Sequence, residues 1–223
     1  MANKDRKAKQ RGGRRGLTPA GGATLKLPDN HGWTAAEGYQ VFVANKGDVR
    51  FEFPAGWTFS HGKSAVTLSD KPSPHESVRV SLTIFHLPPE AGASWRRDTD
   101  LAELVRDTTR EDASGQRDDG TTSPYPRRPA SEITRGTGGG AASTHEWAAI
   151  EWAWLDTSDE KIGVEPRWVI CRHVQVRRAA LHVLISYEFY EDEAGKYARH
   201  YDHLLATLRL AEPVTLDGRS DAN

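Results

Sequence analysis

The stretch that most constrains this chain is 180–210. In AALHVLISYEFY, Leu181, Val183, Ile185, Tyr187 and Phe189 recur on one face while His182, Ser186 and Glu188 fall on the other. That period of two marks a half-buried strand. The acidic run Glu191, Asp192 and Glu193 follows, where the positive end of a helix dipole favours negative charge. Tyr197, Tyr201, Leu204, Leu205 and Leu208 then hold one helical stripe. The expected unit is a strand, a sharp turn and a helix that lies back on the sheet preceding it.

Upstream, QVFVANKGDVRFEFPAGW predicts a strand at Tyr39–Ala44, a turn containing Asn45 to Asp48, and a second strand with Val49, Phe51 and Phe53 inward. Pro54 and Gly56 end that strand, and Trp57 is expected to plug the edge of the core. A short strand is predicted at 65–69. A longer one at 78–87 alternates Val78, Val80, Leu82 and Ile84 with Arg79, Ser81 and Thr83, until Pro88 and Pro89 stop it. A helix is predicted over 98–110, with Asp100 and Glu103 spaced as an N-terminal cap and Leu101, Leu104, Val105 and Thr108 on one stripe. A polar excursion over 111–129 precedes strands at 131–135, 144–155 and 167–177, with a glycine-rich turn at 136–142. Short turns imply antiparallel neighbours, and helices segregated from strands imply α+β. The expected architecture is an antiparallel sheet of about six to eight strands covered by helices, an α/β/α sandwich.

A chain of 223 residues, 37% hydrophobic, suffices for one domain with a sizeable core. The net charge of -1 conceals an asymmetry: 1–15 hold seven Lys and Arg against Asp5, a net +6, which leaves -7 for the rest. Residues 1–38 lack periodicity and read as a basic, disordered arm on which Leu25, Leu27 or Trp33 could still dock. The domain is placed at 39–212, with a flexible tail at 213–223. GLTPAGGATLKLPDN after the basic start offers no signal-peptide core, and no window reaches the length and apolarity of a membrane span. A cytoplasmic location is the expectation. The single cysteine, Cys171, sits in an apolar strand pattern, with no partner for a disulfide or a metal pair.

VRFEFPAGW near the start, VRVSLTIFHL in the middle, a helix with a long loop, and the closing YEFYEDEAGKYARHYDHLLATLRL together resemble the PsbP/Mog1-like fold. The ending is also similar to bacterial DcrB-like proteins. The resemblance covers about 39–210 and rests on structural strings. It implies a non-enzymatic role, since such proteins bind other proteins, and it brings no active-site residue with it. The lipoprotein members' envelope role does not carry over, because no lipobox cysteine is present.

Candidate chemistry is sparse. His200 and His203 lie one helical turn apart with Glu191 and Asp192 upstream, yet a third ligand is not identifiable, and a solvated helix face explains them better. His173 and His182 could face each other on neighbouring strands, and a paired-strand surface explains them equally well. Glu146, Glu151, Asp156, Asp159 and Glu160 supply carboxylates whose separation the sequence does not show. No GxSxG elbow is present, and Gly138 to Gly140 lack the lysine and hydroxyl of a phosphate loop. No cofactor is expected. On a regular strand Trp147 takes one face and Trp152 and Trp154 the other; a two-sided core and a partly uncovered aromatic face both accommodate them. The basic arm leaves nucleic acid open as a partner, although the acidic body argues against a specific reader. The expected function is a non-catalytic protein-binding, adaptor or chaperone-like domain, with Trp152, Trp154 and Tyr125 as candidate partner-binding residues. The alternative is a small-ligand binder or a hydrolase.

Overall fold

The computed structural model describes residues 33–62, 65–72, 75–87, 100–114, 126–139, 144–157, 163 and 165–211. Strands β1 (Tyr39–Ala44), β2 (Val49–Pro54), β3 (Thr58–His61), β4 (Val66–Ser69) and β5 (Val78–His86) come first, followed by helix α1 (Leu101–Ser114). Then come β6 (Arg127–Arg128), β7 (Thr134–Gly138), β8 (His145–Asp156), β9 (Arg167–Arg178) and β10 (Leu181–Tyr190). Helix α2 (Ala194–Thr207) and β11 (Arg209–Leu210) close the chain. The main sheet runs β3-β4-β5-β10-β9-β8-β6, with β7 also paired to β8, and a second sheet runs β1-β2-β11. Every pairing is antiparallel.

The closing unit organises the core as its periodicity predicts. Leu181, Val183, Ile185, Tyr187 and Phe189 are all at most 4% exposed and share one sheet face with Val78, Val80 and Leu82 of β5 and with Val174 and Val176 of β9. Tyr197, Tyr201 and Leu204 of α2, with Phe42, Phe51, Phe53 and Trp57 around the small sheet, cover that face. Each such burial contributes roughly 1.5–3 kcal/mol. The acidic run forms a short 3-10 turn, Glu191–Glu193, that leads into α2. Asp70 pins this layer to the loop before β5, because its carboxylate accepts from the amides of Ser77 and Val78 and from the Tyr197 hydroxyl at 2.7 Å.

The opposite face carries α1. Asp100 caps that helix through the Ala102 amide at 3.0 Å, and Leu101, Ala102 and Val105 pack on Ala148 and Ile150 of β8. The helix begins later and runs further than its stripe suggested.

Four elements depart from expectation. β3 was not expected; its four side chains are exposed, Phe59 at 50%, so it has no core face for a sequence pattern to report. β11 lies where the helical stripe continued to Leu208, because Leu208 turns to extended backbone and Leu210 pairs with Val49. β6 joins the edge of β8 inside the polar excursion. The expected turn at 136–142 is partly strand: Gly136 and Gly138 belong to β7, opposite Trp147 and His145. A Cβ on either would lie 2.6 Å from the Trp147 ring or 2.5 Å from the His145 ring, so the absence of a side chain seats those aromatics.

Trp33 docks beneath the Arg50 guanidinium at 4.8 Å, and the Ala36 amide donates to Glu52 at 3.1 Å. No helix among the described residues is long and apolar enough to cross a membrane.

Candidate functional site

The edge strand beside β8 is interrupted, and the interruption builds a groove. Arg128 pairs with Ala153 and Thr134 with Ala149, so Pro129 to Ile133 must span the distance that Ile150 to Trp152 cover on β8. The two surplus residues cannot stay in register. Pro129 has no N–H for the ladder, and Ser131 alone keeps hold, its amide on the Glu151 carbonyl at 2.7 Å and its hydroxyl accepting from the Glu151 amide at 3.0 Å.

Between this bulged segment and α1 lies a cavity of about 860 Å³. Its apolar floor is Ile133, Ile150 and Trp152, and among the described residues its lining also includes Arg106 of α1, Arg127, Arg128, Arg135 and Glu132. A smaller cavity of about 370 Å³ opens on the other side of the same segment, where Arg172 pairs with Glu151 at 2.6 Å and sits 4.8 Å over Tyr201.

The rim arginines are held in place. Arg127 stacks 4.7 Å over Trp152, and Arg128 stacks 4.0 Å over Trp168 while forking onto both Glu191 carboxylate oxygens. That hydrogen bond raises the Arg128 guanidinium pKa and lowers that of the Glu191 carboxyl. Arg135 donates to Asp100 at 2.8 Å, tying the groove wall to the α1 cap; Asp100 is lowered first by the Ala102 amide and then by this arginine. Beside them Arg167 lies 3.7 Å over Tyr190 and bridges Asp192 and Glu193. The Trp152 indole N–H is buried and meets no acceptor among the described residues. A guanidinium stays charged at every accessible pH, so this lining suits holding an anion and not moving a proton.

The residues singled out from sequence are scattered about this site. Trp152 is 9% exposed, packed with Val169 and Cys171, and forms the groove floor; Trp154 is half-buried beside it, while Trp147 lies on the other face. Tyr125 lies outside the described residues, two positions before Arg127. His200 Nδ1 bonds the Tyr39 hydroxyl at 3.0 Å, and His203 Nε2 meets Glu52 at 2.9 Å with its ring stacked on Tyr39. These histidines tie α2 to β1 and β2 instead of facing solvent together, and the described residues hold no group of three metal ligands.

His173 and His182 do not face each other. His173 is opposite Ser186 and His182 opposite Arg177, because the β9–β10 hairpin turns at Ala179, whose φ is +49°, and fixes that register. Glu146 and Glu151 pair with Arg177 and Arg172, and Asp156 accepts from Tyr190 at 3.3 Å. The rim residues Arg106 and Arg135 were not legible beforehand.

This sheet, helix-covered on both faces, defines a PsbP/Mog1-like α+β fold. The solution structure of cyanobacterial PsbP (CyanoP) from Synechocystis sp. PCC 6803 superposes with a TM-score of 0.53 over 83% of this chain and 98% of that one, at 13% identity. The Ran-binding protein Mog1p of Saccharomyces cerevisiae gives 0.42 over 78% of this chain and 96% of its own, at 10% identity. In sequence, the profile of the Alr1449 family matches residues 40–125. The uncharacterized protein alr1449 of Nostoc sp. (strain PCC 7120) is 26% identical over 187 residues, covering 84% of this chain and 85% of that protein.

Proposed function

We propose that this chain is a non-catalytic protein-binding domain, adaptor or chaperone-like in role, whose recognition surface is the groove between α1 and the interrupted edge of β8. The observation that supports it is the pairing of an apolar floor, Ile133, Ile150 and Trp152, with arginines contributed by α1 and by the sheet edge. Aromatic and arginine side chains in a shielded pocket are the usual anchors of a protein interface. Trp154 borders this surface, and Tyr125 belongs to the excursion that ends on it, so both remain in the proposed binding set with Trp152.

Photo-crosslinking from position 132, on the groove wall, should trap a partner from the native cell, whereas the same crosslinker at Phe59 on the distant β3 edge should not. Trp154→Ala should lower capture of that partner by at least about tenfold while leaving the melting temperature within a few degrees. Equal adducts from both positions, or capture indifferent to Trp154 and to Tyr125→Ala, would place the interface elsewhere.

A further inference from the structure

We propose that the smaller cavity, where Arg172 and Tyr201 meet the interrupted edge strand, binds a free amino acid. Arg172 and Tyr201 take its carboxylate, and Glu132 and Glu151 take its ammonium group. This site goes beyond the protein-binding role proposed above and does not depend on it.

The polar groups of this cavity are only partly used within the protein. Arg172 donates from Nε to one oxygen of Glu151 at 2.6 Å, while its two terminal amino groups meet no acceptor among the described residues. The guanidinium is nonetheless held in place, 4.8 Å over the Tyr201 ring and 5.4 Å over the Phe189 ring. A terminal pair of amino groups fixed in this way matches the two oxygens of a carboxylate.

Tyr201 is an independent pointer to a ligand. It is 8% exposed and lines the cavity, yet its hydroxyl has no hydrogen-bond partner among the described residues. Burial raises its pKa, so the hydroxyl stays protonated and is available as a donor. A polar group so far withdrawn from water is costly to leave unmatched.

The charges choose the class of ligand. Glu151 keeps one oxygen outside its pair with Arg172, and the Glu132 carboxylate has no partner among the described residues. A simple anion would meet two carboxylates in this cavity, and a simple cation would meet the arginine. A zwitterion satisfies both signs. The volume of about 370 Å³ lies toward the lower end of small-molecule sites, roughly 300–1,000 Å³, and Ala149 gives it an apolar wall.

Calorimetric titration of each proteinogenic L-amino acid into the full-length chain tests this. At least one should bind with a Kd below about 1 mM. The deaminated acid and the decarboxylated amine of that amino acid should each bind at least about tenfold more weakly, because each lacks one charge-assisted contact. Arg172→Lys keeps the charge but loses the fork, and should weaken binding by about tenfold or more. Two further variants break no side-chain bond within the protein and should leave the melting temperature within a few degrees. Tyr201→Phe, which keeps the ring beneath Arg172, should weaken binding about fivefold or more, and Glu132→Gln about tenfold or more. Glu103→Gln, exposed on α1 across the sheet, should change nothing. Failure of every amino acid to bind, an analogue that binds as tightly as its parent, or an affinity unmoved by both Tyr201→Phe and Glu132→Gln overturns the proposal.

Discussion

The two faces of the main sheet are built differently from the same strands. On β10, Leu181, Val183, Ile185, Tyr187 and Phe189 point to one side, and every one is essentially closed to solvent under α2 and the small sheet. The alternating positions carry His182, Leu184, Ser186, Glu188 and Tyr190, and β9 adds His173 and Gln175 to that second side. The first face is an apolar core. The second mixes small apolar patches with buried polar groups and stacked arginines, and the groove opens there. The lesson is a division of labour: the α2 face closes over an apolar core, with a small cavity of about 370 Å³ at its edge beside Arg172 and Tyr201, and the larger groove opens on the α1 face.

The sharpest way to break that comparison is to truncate Leu204, which is 1% exposed in the centre of the α2 layer. Leu204→Ala should cost about 2–5 kcal/mol in chemical denaturation, the range for a buried leucine. A cost under about 0.5 kcal/mol would show that the first face does not dominate stability.

The second face should give the acid response. Burial holds the His182 imidazole down at about 4 from its ordinary 6.5, and the neighbouring Arg177 adds to the effect. A histidine depressed in the folded state stabilises fully above its unfolded pKa, and that contribution drains as the pH falls. Stability should therefore drop between pH 6.5 and pH 4, by at most about 3 kcal/mol from this residue. Burial also lowers His200, on the first face, and it contributes in the same direction. His182→Gln should flatten the decline, as followed by denaturation midpoints across that window; an unchanged slope would assign the acid response to other groups.

The smallest effect is local. Asp100→Ala removes the cap on the Ala102 amide and the Arg135 partner together. Amide exchange in the first turn of α1 should quicken while the melting temperature moves only slightly. A global loss approaching that of Leu204→Ala would make α1 as integral to folding as α2 and erase the difference between the faces.

Much of the first face was legible in advance, because its signals are local. The alternation from Leu181 to Phe189 names the buried side of β10 before its neighbours are known, and the i, i+4 recurrence of Tyr197, Tyr201 and Leu204 names the buried side of α2. The Asp100 cap is equally local, a carboxylate two residues before the amide it accepts from. The second face was hidden for the complementary reason. Exposed charges follow no period, so nothing in the sequence marks Arg106 and Arg135 as neighbours of Arg127. They meet because α1 crosses β8 and the edge strand slips by two residues at Pro129.

The glycines teach the same point. GTGGG reads as a turn, but Gly136 and Gly138 serve as strand positions whose missing side chains admit the Trp147 and His145 rings from β8. The sequence by itself determined the apolar side of β10 and of α2, since apolar periodicity is written into consecutive positions. Which strand lies beside which, where the edge breaks and what charges gather there were decided by the tertiary structure, because those relations join residues far apart in the chain through register and packing alone.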